Sequence, residues 1–268
     1  MRMDSPPSLP LGLTRDASHV YTWHDGTTVV SDIPSVTTIL RVVDKSGPLV
    51  GWAKRETAAC AVRNLDMLVR MRETGGDAAA TDWLKKIPDY QRDTAADVGS
   101  RIHALAEQIN RGLDPAVSAD EAPFIDAYRA FLASFRPRFL AAEEMVVSLR
   151  HQYAGTLDCL AVIDGETWLL DIKTGTGLYA ETGLQLAGYA SADFIGRPGT
   201  PKRFRLPRPT RFGVIHVRPE GARLVEYDVD RGTFAAFLEA RRLYAWQQGP
   251  AKTAVGAVVT ASGRSAAA

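Results

Sequence analysis

The stretch GTLDCLAVIDGETWLLDIKTG, residues 155–175, sets two aspartates and a lysine into two segments otherwise built for burial. Between the segments lies Asp164-Gly165, the dipeptide that most strongly signals a two-residue hairpin loop. With that loop, residue 163 faces 166, 160 faces 169, and Asp158 faces Asp171 on one face of the hairpin. A symmetric four-residue loop preserves this register, whereas an odd-length loop breaks it. Directly facing side chains lie about 4.5–5.5 Å apart at Cβ. The two-residue period puts Lys173, Leu160 and Leu169 on the same face, and Leu157, Cys159, Ala161, Trp168, Leu170 and Ile172 on the other. Both faces are apolar, so the hairpin is central and largely out of water. Two facing carboxylates there repel each other and lose hydration, at a cost on the order of several kcal/mol unless something positive compensates. A divalent cation held by oxygen ligands is the simplest compensation, because one lysine neutralises only one acid. A lone Asp-x-Lys in a strand is ordinarily a plain ion pair at a solvated sheet end. Here the facing geometry and the motifs around it argue against that.

Four motifs occur in order: Gly99-Ser-Arg-Ile-His103, Gly155-Thr-Leu-Asp158, Asp171-Ile-Lys173-Thr-Gly175 and Gln185-Leu-Ala-Gly-Tyr189. Their types, order and spacing over residues 99–189 resemble the PD-(D/E)xK nuclease superfamily, in particular its RecB-like branch of phage exonucleases and CRISPR adaptation nucleases. The resemblance implies an α/β (α+β) fold with a restriction-endonuclease-like core, a mixed central β-sheet flanked by helices, and a helical N-terminal portion. It also implies that His103, Asp158, Asp171 and the carbonyl of Ile172 ligate one or two Mg²⁺ or Mn²⁺ ions. Lys173 would orient or deprotonate the attacking water, and Gln185 and Tyr189 would contact DNA or the rim of the site. Glu143 or Glu144, on the preceding strand, would add a carboxylate; the phase of that strand does not choose between them. The implied activity is DNA phosphodiester hydrolysis leaving a 5′-phosphate and a 3′-hydroxyl, in recombination, repair or phage DNA metabolism, and the analogy favours an exonuclease. The alternative is a catalytically silent DNA- or partner-binding module on the same fold, which predicts metal-dependent binding without cleavage.

Many relatives carry four cysteines for an iron–sulfur cluster; Cys60 and Cys159 are too few. The sequence lacks a G-x-x-x-x-G-K-[ST] loop, so no ATP-driven motor is expected, and unwinding would fall to a separate helicase or recombination partner. The formal charge is only +1, so nucleic-acid contact must come from a local basic surface. RPGTPKRFRLPRPTR, 197–211, supplies one, with six basic residues, four prolines and no acid. Lys202, Arg203 and Arg205 are its candidate DNA contacts, with Phe204 and Phe212 available to stack on bases.

Elsewhere, Asp25-Gly26 predicts a hairpin over 19–31, and Ser35 caps a short helix. Helices are expected over 47–73, 81–87, 93–111, 120–135, 181–195 and 231–247, with strands over 139–150, 154–163, 167–173, 212–218 and 223–228. These give a flexible terminus over 1–18, one nuclease domain over 19–249 (an N-terminal part to 92, then the core) and a mobile tail over 250–268. The proline-rich start is unlike a signal peptide, and no apolar run reaches the roughly 18 residues of a membrane span. A cytoplasmic protein without membrane partners is expected.

Overall fold

The computed structural model describes residues 9–257, 259–260 and 263–264. It is a mixed α+β architecture built on one central sheet. Three N-terminal strands, β1 (Gly12–Arg15), β2 (Val20–His24) and β3 (Val29–Pro34), form a small antiparallel sheet. A short helix α1 (Val36–Ile39) follows, with Ser35 capping it by accepting the Thr38 N–H at 2.9 Å. Helices α2 (Ser46–Arg63) and α3 (Leu65–Asn110) form a mostly exposed arm, and α4 (Ala122–Phe135) leads into the main sheet. There follow β4 (Arg138–Ser148), β5 (Tyr153–Ile163), β6 (Glu166–Lys173), α5 (Glu181–Ala190), β7 (Phe194–Arg197), β8 (Thr200–Phe204), β9 (Arg211–Arg218), β10 (Gly221–Glu226) and α6 (Arg231–Gln248).

The main sheet has the order β10-β9-β6-β5-β4-β7-β8, with β6 and β9 parallel and the other neighbours antiparallel. The central hairpin has the expected register: Ile163 pairs with Glu166 and Leu160 with Leu169. Asp164 and Gly165 both adopt positive φ in the loop, as a type I′ turn demands. On one face Leu160 and Leu169 pack with Leu186 and Tyr189 of α5 and Phe237 of α6. On the other, Cys159, Ala161, Leu170 and Ile172 meet Tyr128 and Phe131 of α4 and Ala106 of α3. The small N-terminal sheet covers Val147, Ala154 and Phe194 through Leu13, Tyr21, Trp23 and Ile33. The sheet is thus covered on both faces, and α4 shows how locally the sequence achieves this. Its Ile125, Tyr128 and Phe131 recur on one stripe, and left-handed Arg136 ends it just before Pro137.

Several boundaries differ from the sequence reading. Part of the expected flexible terminus is structured: Gly12–Arg15 forms β1, and Leu13 is fully buried. Gly76, at φ 72°, does break the helical arm, but 81–87 and 93–111 belong to one continuous helix. Pro88 lies inside it, and no helix begins at 93. The helix expected to 195 ends at Ala190, and the apolar Phe194–Arg197 forms β7 instead. The basic run is accordingly a hairpin arm plus a strap, with β8 at the sheet edge. Within the expected tail, Pro250–Thr253 forms a 3₁₀ turn, and much of the remainder lies outside the described residues.

Candidate active site

The ladder between β5 and β6 stops at Cys159↔Leu170, one couple short of Asp158 and Asp171. At that point the Asp158 carboxylate takes over as acceptor, its Oδ2 receiving the Ile172 N–H at 2.7 Å. The β4–β5 ladder skips a couple at the same level without changing register: it runs Ala142↔Cys159 and then Glu144↔Leu157, leaving Glu143 and Asp158 outside the ladder. Glu143 sits in the left-handed region at φ 51°, rare for a residue with a side chain. The consequence is a change of phase in β5. Leu157, expected opposite Leu160, packs in the same cluster with Leu160 and Leu169. Side-chain alternation therefore resets at Asp158, where the sheet opens.

Three ligand-type side chains meet at this opening. One ligand atom from each of His103, Glu143 and Asp158 lies within 4.8 Å of the others, and His103 Nδ1 is 3.5 Å from Asp158 Oδ2. Helix α3, β4 and β5 contribute one residue each. Burial pushes Glu143 up to about 8, with the charges of Asp158 and Glu107 adding to the effect. Burial also raises Asp158 to about 6, with Asp171 adding to it, while His103 and the Ile172 N–H act in the opposite sense. Two carboxyls held so far above their ordinary range mark a site short of positive charge. An imidazole and two carboxylates also make a donor set that could hold a metal ion. The residues present therefore fit a metal ion.

Beside this cluster stands a second, internally balanced one. Asp171 is buried; its Oδ1 accepts from Gln185 Nε2 at 2.6 Å, and its Oδ2 is 2.8 Å from Lys173 Nζ. The Lys173 side chain keeps 35% of its surface accessible against 3% for Asp171. Burial opposes the lysine's charge, but Asp171, together with smaller contributions from Asp158 and Tyr227, raises Lys173 above its ordinary value.

The sequence-derived candidates separate accordingly. His103 and Asp158 come together, and of the two candidate glutamates it is Glu143 that joins them. Glu144 instead pairs with Arg197 at 2.5 Å on the surface. Asp171 lies outside the three-residue cluster, and Ile172 engages Asp158 through its N–H. Gln185 and Tyr189, expected to touch DNA or the rim, are turned inward. Gln185 also donates to the Tyr189 hydroxyl at 3.3 Å, and both side chains are buried. Two of the motif glycines are explained by close approach. A Cβ on Gly155 would lie 2.4 Å from the Tyr189 ring, and one on Gly99 3.1 Å from Thr174 Oγ1. Lys202 lies over the Phe204 ring at 5.0 Å, Arg203 over Phe194 at 5.0 Å, and Arg205 opens into a groove beyond α5.

Residues that sequence reasoning missed hold the site from further away. His216 Nε2 lies 2.7 Å from the Gly175 carbonyl, and Arg218 donates to the Thr174 carbonyl at 2.5 Å. Arg223 approaches His216 Nδ1 at 3.3 Å. A guanidinium only donates, so Nδ1 accepts and Nε2–H donates to Gly175. These residues are on β9 and β10, and the parallel pairing of Lys173 with His216 brings them there. Arg15, on β1, donates to Thr156 two residues before Asp158 at 3.3 Å. No short motif could have announced these long-range contacts. Neither a scan of protein-family models nor a search of curated proteins gives any match to the chain.

Proposed function

We propose that the chain is a metal-dependent DNA nuclease, acting as an exonuclease in DNA recombination, repair or phage DNA metabolism. The observation that carries this reading is the convergence of His103, Glu143 and Asp158, from three separate elements, beside the Asp171–Lys173 pair. His103, Glu143 and Asp158 would hold Mg²⁺ or Mn²⁺, which supplies Lewis acidity toward a phosphodiester when bound. The chain's own residues do the rest. Gln185 fixes Asp171, and Asp171 fixes Lys173 through the ion pair. Held there, Lys173 acts on the incoming water as a hydrogen-bond donor or as a base. It orients the incoming water and stabilises the charge that grows on the phosphate oxygens. Hydrolysis would leave a 5′-phosphate and a 3′-hydroxyl. A helicase, where DNA must be unwound, would be a separate protein.

The test is incubation with end-labelled single- and double-stranded DNA under Mn²⁺, Mg²⁺ and EDTA, beside Lys173→Ala and Asp171→Ala. Cleavage that requires metal and disappears in both variants is expected, and the product ladder separates exonuclease from endonuclease. DNA binding without cleavage under all conditions would replace this reading with that of a silent binding module.

A further inference from the structure

The cations of the 197–211 run are not equivalent. Arg197 and Arg211 form ion pairs with Glu144 and Glu226. Arg203 reaches Asp25 only at 4.0 Å, and exposed Arg205 and Arg208 have no carboxylate within 4.0 Å among the described residues. The strap that carries the last two is nonetheless fixed. Leu206, between them, is buried in the core beside Phe237, Pro207 and Pro209 restrict the backbone on either side of Arg208, and the Thr210 N–H donates to the Thr167 carbonyl at 2.8 Å. Arg203, Arg205 and Arg208 line one side of a groove of about 980 Å³, with Phe204 and Phe212 among its walls. The one acid lining it, Asp193, already accepts from Ser148 Oγ and the Arg150 N–H, both at 3.2 Å.

No residue of the metal cluster or of the Asp171–Lys173 pair lines the groove. It is lined by the end of α5, Ala190 and the residues after it, whereas Gln185 holds Asp171 from earlier in that helix. We infer that this groove is a second nucleic-acid site, which grips a single strand by its phosphates at a distance from the reacting bond. Arg203 near the end of β8 and Arg205 and Arg208 on the fixed strap match a run of phosphates, and the half-buried rings offer apolar surface that a free inorganic anion would not need. The choice of nucleic acid as the polyanion rests on the nuclease reading; the groove and its unpaired arginines do not.

The test is fluorescence anisotropy of labelled oligothymidylate in EDTA across a salt series. It compares wild type, Arg205→Ala/Arg208→Ala, and a charge-matched control on the helical arm, Arg63→Ala/Arg70→Ala. Loss of two phosphate contacts should weaken binding on the order of tenfold and flatten the log–log salt slope by about 1.4. The arm control should stay near wild type. On wild type, oligothymidylate should protect Arg205 and Arg208 from phenylglyoxal, a readout independent of how the variants fold. Equal weakening in both double variants, unchanged binding in the groove variant, no protection, or a duplex competing as well as the single strand would each overturn the inference. Cleavage is absent from every arm. A groove that binds in a protein that never cleaves DNA would leave the inference standing and remove the nuclease reading, and the reverse result would do the opposite.

Discussion

The two halves of the candidate site each turn on an aspartate of the central hairpin and behave oppositely. Asp171 has its charge answered from within the fold, by Lys173 on one oxygen and Gln185 on the other. Asp158 has His103 and a backbone N–H close by, with Lys173 acting from further off, and Glu143 has the more distant Arg15 and Arg111 acting against its burial. Burial raises both carboxyls far above their ordinary range. A carboxylate that is already paired is a positioning device. A pair of carboxylates left short of positive charge is a binding site for something positive.

The largest expected effects set these halves against each other. Lys173→Ala should lower metal-dependent DNA cleavage roughly 10²–10⁴-fold, the range for losing a positioned donor or acid–base group. It should leave intact the rise in melting temperature that Mn²⁺ produces. Asp158→Asn should abolish both the cleavage and most of that rise, since a ligand that binds only the folded state stabilises it by mass action. If Lys173→Ala removed the Mn²⁺ shift as well, the division into a metal cluster and a positioning pair would be wrong.

A pH series without metal gives the next effect. Glu143 ionises at about 8 in the fold against 4.5 as its ordinary value, so the folded state holds its proton more tightly than the unfolded state. The stabilisation is complete below the unfolded value and is lost as pH rises through the folded one. Asp158 acts in the same sense at lower pH, between 3.8 and about 6. In EDTA the protein should therefore melt lower at pH 8.5 than at pH 5.5, and Glu143→Gln should flatten that slope. Mn²⁺ should restore most of the loss at high pH in wild type. A melting temperature in EDTA that does not change across this range would mean the carboxyls are better compensated than the geometry indicates.

On the balanced side, Gln185→Leu strips Asp171 Oδ1 of its donor in a buried setting. An unsatisfied buried acceptor costs about 1–3 kcal/mol, which denaturant unfolding would resolve. Gly155→Ala should cost a comparable amount through the Tyr189 ring, since overpacking a tight site typically costs about 1–3 kcal/mol.

What was legible in the sequence follows the range of each interaction. The Asp164-Gly165 turn announced the central register because a two-residue loop leaves no freedom in the pairing beyond it. The two apolar faces of that hairpin were equally readable, except at Leu157. There the alternation assumed a regular strand, and the left-handed Glu143 across the ladder breaks it. Nothing local marks that break, which is also why the choice between Glu143 and Glu144 stayed open. Gln185 and Tyr189 were recognisable as a pair one turn apart, but their spacing carries no information about which side of α5 is covered. Arg15, His216 and Arg218 reach the site from strands distant in sequence, through sheet pairings that composition and periodicity do not encode.

The adjacent glutamates supply the smallest prediction and the closest internal control. Glu144 points out to Arg197, a pair whose partner is about half exposed, and Glu143 points into the opening. Exposed ion pairs contribute roughly 0.2–1 kcal/mol, so Glu144→Gln should shift stability by no more than that and leave the Mn²⁺ response and the pH slope unchanged. The two variants delete the same charge from consecutive positions of one strand, and any general effect of net charge is therefore common to both. If Glu144→Gln instead weakened the Mn²⁺ shift as much as Glu143→Gln, the left-handed turn at Glu143 would not be selecting which carboxylate faces the cluster. The phase assigned to β4 would then have to be reversed.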